Sequence, residues 1–367
     1  MTLSFILPNL LTWDGDRPVL GGLERMAWAL IRTARRAGYT VDVHQNGSSD
    51  WTRTIDGIPI RGHGLARLSL LAALESIHHH TTQSLYLSIM QEPMAYRPHS
   101  LVVSHGVWWD APGMDADVQF QACRSALQQA EAIVSVDYNF LNVMRAVYPS
   151  LADKITVIPN CVDTRQFTPP SVPRPDPPLI LFPRRIDPAR GISLFLEAVA
   201  PLIAADRSLR VTMSVDRNNR PWNERFDRQL EAFPFSDRVQ LVSTPFDEMP
   251  QLYRQADIVV IPSTYSEGTS LACLEAMASG SAVVATNIGG LTNLILSGFN
   301  GLLVPPRAGA VRDAIADLLA RPAWRRELAD NARRSAVCFG LEQWQASWTN
   351  ALFSVYGRPA SGGGQNG

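Results

Sequence analysis

The stretch YSEGTSLACLEAMASG, residues 265–280, follows a short apolar run and contains two glutamates, Glu267 and Glu275, eight positions apart. The residues before Thr269 are predicted to form a turn from a strand into a helix. The helix is predicted to end at Gly280, because glycine commonly follows a helix C-terminus. The stretch therefore predicts a strand, a turn and a helix, the repeating unit of a parallel α/β sheet.

The same alternation of short apolar runs and helical patterns continues along the chain. It is interrupted at residues 169–178, PPSVPRPDPP, where six prolines exclude a helix or a central strand and predict a stiff linker. The sequence thus predicts an α/β fold with two parallel-sheet halves. The predicted strands are 2–7, 40–44, 84–89, 100–104, 132–135, 179–182, 210–215, 239–242, 258–261, 282–285 and 301–304, and the predicted helices include 23–37, 193–204 and 271–278.

Composition limits the class of protein. At 367 residues the chain is longer than one hydrophobic core usually supports. A formal net charge of -1 argues against a nucleic-acid partner, so any phosphate site must be local. No run of about 18 apolar residues predicts a membrane span, and the N-terminus is predicted to be a buried strand rather than a signal peptide. Widely spaced cysteines predict reduced thiols in the cytoplasm and no zinc site; they are Cys123, Cys161, Cys273 and Cys338.

Two turns of opposite charge are predicted at one edge of the second sheet. The turn before Thr269 carries Glu267, and the helix after it presents unpaired N–H groups that suit a diphosphate. The turn PRRIDPARG, residues 183–191, carries three arginines, and guanidinium groups bind phosphate oxygens as a fork. The helix spacing places Glu267 and Glu275 roughly 10 Å apart, and each carboxylate can accept hydrogen bonds from hydroxyls. A capped surface helix and a solvated basic loop are the alternatives.

Two further segments are candidates in the first half. GGLER, residues 21–25, contains two glycines that would let backbone N–H groups approach an anion, although a plain turn fits equally. SHGVWWD, residues 104–110, follows a predicted strand and carries His105 beside an aromatic pair. The histidine is either a ligand in a cleft or a structural residue, and the tryptophans either line a pocket or pack.

These segments together resemble the retaining glycosyltransferases of family 4, also described as glycosyl transferases group 1. The resemblance covers nearly the whole chain in the family's order. The segments that carry it are GGLER at 21–25, VIPNCVDTRQF at 157–167, PRRIDPARG at 183–191, EGTSLACLEAMASG at 267–280, SAVVATNIGG at 281–290 and SGFNGLLVPP at 297–306.

The resemblance implies a GT-B fold, in which two Rossmann-like domains face each other across a cleft and a C-terminal helix crosses back to the first domain. The implied domains are an acceptor-binding domain at 1–168 and 341–357, and a donor-binding domain at 179–340. A disordered tail is expected at 358–367.

The resemblance also implies residue roles. Glu267 would bind hydroxyls of the transferred sugar, and Glu275 would bind the ribose of the nucleotide. Arg185 and Arg190 would hold the diphosphate, with His105 near the reacting centre. The remaining donor-binding residues would be Gly21, Gly22, Arg184, Gly268, Thr269 and Ser270.

The sequence departs from the family pattern at several positions. Arg190 replaces the usual lysine in a chain whose only lysine is Lys154, which substitutes a bulkier fork for a point charge. Arg184 stands where glycine is usual, so it either narrows the loop or adds a phosphate contact. Cys161 replaces a glycine, and Asn293 stands where glutamate is common.

The implied reaction moves a sugar from a UDP- or GDP-type donor to a hydroxyl acceptor with retention of anomeric configuration. No cofactor or metal is expected, because the cations already neutralise the diphosphate. A catalytically silent sugar-nucleotide-binding partner and a GT-B enzyme of other chemistry, such as an epimerase, are the alternatives. A phosphorylase is disfavoured because Lys154 lies in the wrong place for pyridoxal phosphate.

The sequence leaves the acceptor open between a small molecule, a glycan and a lipid-linked hydroxyl. The acceptor would dock on loops of the first half, predicted at 9–20, 45–65, 91–99 and 108–115. Three arginines of the first helix, Arg32, Arg35 and Arg36, fit either a solvated face or a contact with anionic lipid at the inner face of the membrane.

Overall fold

A computed structural model of the chain describes residues 1–19, 21–64, 77–78, 81, 83–89, 95–215 and 220–359. The chain divides into two compact units, a first unit of residues 1–105, 113–158 and 344–367 and a second unit of residues 106–112 and 159–343. No helix among the described residues is long and apolar enough to cross a membrane.

The first unit is an α/β domain built on a mainly parallel sheet. Its elements are β1 Thr2–Ile6, α1 Gly22–Arg36, β2 Thr40–Gly47, β3 Trp51–Ile55, β4 Ile58–Gly64, β5 Ser84–Tyr86, β6 Leu101–Ser104, α2 Ala116–Gln129, β7 Ala132–Ser135, α3 Tyr138–Val147 and β8 Ile155–Val157. Within the described residues the eight strands lie in the order β3-β4-β2-β1-β5-β6-β7-β8. Only the β3–β4 pair is antiparallel among the paired strands of this sheet.

The prediction of a loop at 45–65 is wrong over most of its length, because these residues include β3 and β4, which form a hairpin. Asp56 and Gly57 connect the two strands, and both have positive φ values, 52° and 74°. A two-residue turn of this kind matches the twist of antiparallel strands, and Asp-Gly is a common sequence for it. Within the other predicted loops, Leu20 and residues 91–94 lie outside the described residues.

The second unit is an α/β domain with a fully parallel sheet. Its elements are β9 Leu179–Pro183, α4 Ile192–Ala205, β10 Arg210–Ser214, α5 Arg220–Glu231, β11 Val239–Val242, α6 Met249–Gln255, β12 Ile258–Ile261, α7 Leu271–Ala278, β13 Ala282–Thr286, α8 Leu291–Leu294, β14 Leu302–Val304, α9 Ala308–Ala320 and α10 Pro322–Val337. The strand order is β11-β10-β9-β12-β13-β14. The order reverses between β9 and β12, the switch point at which open α/β sheets bind ligands.

Strand β9 shows why the strands of the second unit consist of continuously apolar residues. Ile180 and Phe182 lie in the core beneath α4, α5 and α9, whereas Leu179 and Leu181 lie in the core beneath α6, α7 and α10. A parallel strand covered by helices on both faces needs apolar side chains at every position. The predicted helix 271–278 and the predicted strands of this half are confirmed to within one or two residues.

The proline-rich segment 169–178, predicted as a linker, lies within the second unit. Arg174 fixes it there, because its guanidinium donates to the carbonyl oxygens of Arg254, Ser279 and Gly280 at 2.8–3.0 Å. Two of these carbonyls follow the C-terminus of α7, where helix carbonyls lack intrahelical partners. Arg210 also donates to the carbonyl oxygens of Pro175 and Pro177, so the segment is held by arginine contacts that proline spacing does not reveal.

The C-terminal helix α11, Leu341–Tyr356, packs on the first unit from Trp344 onward, as predicted. Its buried stripe consists of Trp344, Trp348, Leu352 and Tyr356. The hydroxyl of Tyr356 donates to the carbonyl of Ser84 at 2.6 Å and accepts from the amide of Leu101 at 2.9 Å. The helix is thus attached to the first residues of β5 and β6 by hydrogen bonds as well as by packing.

We expect Tyr356→Phe to lower the free energy of unfolding of the first unit by about 1–3 kcal/mol, because two buried backbone groups lose their partner. Urea denaturation followed by circular dichroism measures the change. Tyr138→Phe is the matched control, since Tyr138 is 51% exposed and water replaces any contact of its hydroxyl. An equal loss in both variants would contradict the assigned role of the Tyr356 hydroxyl.

Candidate functional site

The turns that follow β9 and β12 meet at the switch point of the second sheet. The amide of Thr264 donates to the carbonyl of Ala189 at 2.9 Å, and its hydroxyl donates to the carbonyl of Pro188 at 3.1 Å. Gly191 makes this approach possible: its φ is +73°, and a Cβ at this position would lie 1.8 Å from the carbonyl oxygen of Pro262. The basic and acidic turns predicted at one sheet edge are therefore in direct contact.

The carboxylate of Glu267 is the centre of this site. Its Oε2 atom accepts hydrogen bonds from Arg184 and Arg190 and from the hydroxyl of Ser263, the last at 2.6 Å. The side chain of Glu267 is only 6% exposed. A buried carboxylate of this kind is stable only when it is paired and hydrogen-bonded. The site is thus a buried ion cluster with one negative and two positive groups.

The charges of the cluster keep Glu267 ionised. Burial raises the pKa of the Glu267 carboxyl, but the guanidinium groups of Arg184 and Arg190 more than offset this effect, and the net result lowers the pKa to about 2. Ser263 and Ser270 stabilise the charged form further by hydrogen bonding. Glu267 therefore acts only as a hydrogen-bond acceptor at neutral pH.

The three arginines of the basic turn lie in different environments. Arg184 is buried, and besides Glu267 it contacts the hydroxyls of Ser263 and Ser270 at 3.1 and 3.2 Å. Arg190 is partly buried against Glu267. Arg185 is exposed to solvent. The structure thus brings Arg184 and Arg190 to the predicted acidic residue and leaves Arg185 at the surface.

The N-terminus of α7 lies beside the ion cluster. Ser270 caps it, since its hydroxyl accepts from the amide of Cys273. The backbone of Gly268 and Thr269 is held from two sides: Gly290 approaches Gly268 closely, and the Asn160 side chain donates to the carbonyl of Thr269 at 2.8 Å. The predicted phosphate cradle is therefore a rigid turn.

Glu275 lies further along α7 and is also buried, with 3% of its surface exposed. It is the fifth residue of α7, whereas Glu267 lies in the turn that precedes this helix. The structure thus places both predicted glutamates in the interior, where an unpartnered acid would be costly.

Of the candidates in the first half, Gly21, Gly22 and His105 lie in the first unit, whereas the aromatic pair Trp108 and Trp109 lies in the second. His105 follows β6, and its Nε2–H donates to the carbonyl of Leu87 at 2.7 Å. Burial lowers the pKa of the His105 imidazole, so the ring is neutral near pH 7. Gly21 and Gly22 begin α1, whose N-terminus has no side-chain cap. The buried Glu24 in that first turn accepts from the Asn9 side chain at 3.2 Å.

Two contacts of the site were not predicted. Ser263 lies two residues after the end of β12; its hydroxyl donates to Glu267 and accepts from Arg184. Asp110 belongs to the second unit, and it accepts a hydrogen bond from the amide of Ser266 at 3.0 Å. Burial raises the pKa of the Asp110 carboxyl. The position of Ser263 near the carboxyl end of a switch-point strand is a sequence feature that could identify it as a site residue. The contact of Asp110 depends on the tertiary fold and has no such feature.

Comparison with known proteins agrees with this architecture. The family model "Glycosyltransferase Family 4" matches residues 20–166, and the model "Glycosyl transferases group 1" matches residues 163–335. The structure of sucrose-phosphate synthase from Thermosynechococcus elongatus superimposes with a TM-score of 0.78 at 20% identity, covering 97% of this chain and 99% of that one. Anabaena Alr3699/HepE in complex with UDP-glucose superimposes with a TM-score of 0.73 at 16% identity, covering 96% of this chain and 100% of that one.

Sequence similarity extends to named relatives. A D-inositol 3-phosphate glycosyltransferase of Frankia alni is 34% identical over 224 residues, which are 57% of this chain and 54% of that protein. The chain spans about half the length of the curated relatives it matches. The two α/β units therefore form a GT-B fold. The chain belongs to glycosyltransferase family 4, the glycosyl transferases of group 1.

The ion cluster predicts how stability depends on pH. The pKa of Glu267 is lower in the folded state, so its contribution to stability is fully present above its ordinary value of 4.5 and is lost as the pH falls toward about 2. We expect the difference in free energy of unfolding between wild type and Glu267→Gln to shrink steadily from pH 5 to pH 3. Urea unfolding at each pH measures it, and a constant difference would contradict the assignment.

The backbone geometry at Gly289 predicts how a substitution there would affect stability. Its φ is +48°, and a Cβ would lie 1.9 Å from the carbonyl oxygen of Glu267. Gly298 also has a positive φ, +84°, but no atom of the described part of the chain lies within 4 Å of its Cβ position. We expect Gly298→Ala to cost about 1–2 kcal/mol of unfolding free energy from backbone conformation alone. Gly289→Ala should cost about 1–3 kcal/mol more from the clash, which thermal unfolding of the two variants would test.

Proposed function

We propose that the protein is a glycosyltransferase that moves a sugar from a nucleotide-diphosphate donor to a hydroxyl acceptor with retention of anomeric configuration. The observation that carries the proposal is the buried Glu267 carboxylate, held ionised by two arginines beside a helix N-terminus at the sheet switch point. Such a site offers acceptors for sugar hydroxyls next to donors for phosphate oxygens.

The donor would lie across the carboxyl ends of β9 and β12. Arg185 and Arg190 would hold the diphosphate together with the backbone amides at 268–270, and Arg184 would complete the positive surroundings. Glu267 would accept hydrogen bonds from the sugar, and Glu275 from the ribose. We propose that Gly21 and Gly22 of the first unit also bind the donor, and that the neutral His105 acts near the reacting centre.

The proposed chemistry needs no protein nucleophile. The bond between the anomeric carbon and the phosphate oxygen breaks, a bond to the acceptor oxygen forms on the same face, and the acceptor's proton passes to the leaving diphosphate. The arginines and the N-terminus of α7 stabilise the charge that develops on that diphosphate. Because these cations neutralise the leaving group, we propose that the reaction requires no metal ion and no cofactor.

Two relatives support the choice of substrates. The HepE structure holds UDP-glucose, which favours a UDP-type donor over the GDP-type alternative. The Frankia relative is named for an inositol phosphate acceptor. We propose a hydroxyl acceptor of the polyol or sugar class, bound by the first unit. Four widely spaced cysteines fit a reducing compartment, so we propose that the reaction takes place in the cytoplasm.

An assay of nucleoside diphosphate release tests the proposal with purified protein, a panel of UDP- and GDP-sugars, and polyol or sugar acceptors. Acceptor-dependent release of UDP is the expected result. Donor binding without release in any combination would instead favour a catalytically silent binding partner. Inversion at the anomeric carbon, read from the product by NMR, would contradict the proposed mechanism.

Glutamate variants separate the two proposed carboxylate roles. Glu267→Ala should reduce kcat 100-fold or more while changing UDP affinity little. Glu275→Ala should weaken UDP binding about 10- to 100-fold, the loss expected for a charged hydrogen bond. Isothermal titration with UDP and initial rates measure both. Glu327→Ala, at an exposed glutamate of the same unit, is the control, and wild-type rates in all three variants would contradict the roles.

A further inference from the structure

Two guanidinium groups share one oxygen of Glu267, but they are held in different ways. Arg184 is 7% exposed and is fixed by the hydroxyls of Ser263 and Ser270 as well as by Glu267. Arg190 is 18% exposed, and its other hydrogen bond in the described structure is a 3.4 Å contact with the carbonyl of Ser266. Arg184 is therefore a fixed partner of the carboxylate, and Arg190 is the partner that is easier to displace.

This difference matters when a diphosphate enters the site. Its oxygens compete with Glu267 for the guanidinium group of Arg190, because both are anionic acceptors that match the arginine fork. A buried carboxylate that lost its sole counter-ion would be strongly destabilised. With Arg184 in place, Glu267 keeps a counter-ion and two hydroxyl neighbours after Arg190 has moved.

We infer that Arg184 is a positioning residue: it is the permanent counter-ion of Glu267, and it releases Arg190 to bind the diphosphate of the donor. The inference rests on the proposed function and deepens it. Arg184 acts through Arg190 rather than by touching the donor. A glycine, the residue usual in the family at this position, has no side chain to fill this role.

The inference predicts the effect of removing the charge of Arg184. In Arg184→Met, Arg190 is the only cation left beside Glu267 among the described residues, so a diphosphate must break that pair in order to bind. The affinity for UDP and for inorganic pyrophosphate should fall about tenfold, within the usual range of coupling between sites. Glu267 itself should stay in place, held by Arg190.

Double-variant cycles give the decisive test, with UDP and pyrophosphate as probes in isothermal titration. Arg184→Met should have little effect on Kd, within about twofold, when Arg190 is already methionine, because its effect passes through Arg190. It should have equally little effect in the Glu267→Gln background, where Arg190 has no carboxylate to leave. Arg326→Met, at an exposed arginine of the same unit, is the control for net charge.

Other outcomes overturn the inference in distinguishable ways. If Arg184→Met weakens binding by the same factor in all three backgrounds, Arg184 contacts the phosphates directly. If it lowers Tm without changing Kd, its role is structural only. Should Arg184→Met fold poorly, Arg184→Met/Glu267→Gln removes both buried partners and still reports on Arg190. Wild-type protein that binds neither probe would overturn the proposed function together with the inference.

Discussion

The ion cluster around Glu267 is the interaction on which the described site depends. Charged groups are expensive to bury, and this one is tolerated because two guanidinium groups and a serine hydroxyl converge on the same carboxylate oxygen. The fold supplies that convergence. Parallel strands β9 and β12 are neighbours, so the turns that leave their carboxyl ends are brought together whatever residues they contain.

Backbone geometry sets the distance between the turns. Gly191 lies against the carbonyl of Pro262, and Gly289 lies against the carbonyl of Glu267, both with positive φ. A side chain at either position would push one turn away from its neighbour and break the arginine contacts. The glycines of PRRIDPARG and SAVVATNIGG thus let the backbone on either side lie close to the acidic turn. The three loops are packed against one another as a result.

Much of this arrangement could be predicted from the sequence. Continuous apolar runs identify the strands of the second sheet, and the pattern after Ser270 identifies α7, because burial on both faces leaves a clear local signal. The predictions were less informative where a side chain acts over a long range. Nothing in the sequence indicates that Arg184 rather than Arg185 turns inward, that Arg174 anchors the proline-rich segment, or that Asp110 meets Ser266. The β3–β4 hairpin lies in a predicted loop, although Asp56–Gly57 is a common hairpin turn sequence.

The two departures from the family pattern in the basic turn have a common physical explanation. Where lysine is usual, Arg190 presents a planar fork, which binds a carboxylate more tightly than a compact ammonium group does. An arginine in that place is therefore harder to draw away from Glu267 toward a diphosphate. A second arginine at position 184 offsets this effect, since it lets the carboxylate keep a partner throughout. The chain has a single lysine, and two family positions in this turn carry arginine: Arg184 in place of glycine and Arg190 in place of lysine. We interpret these two replacements as one coupled change.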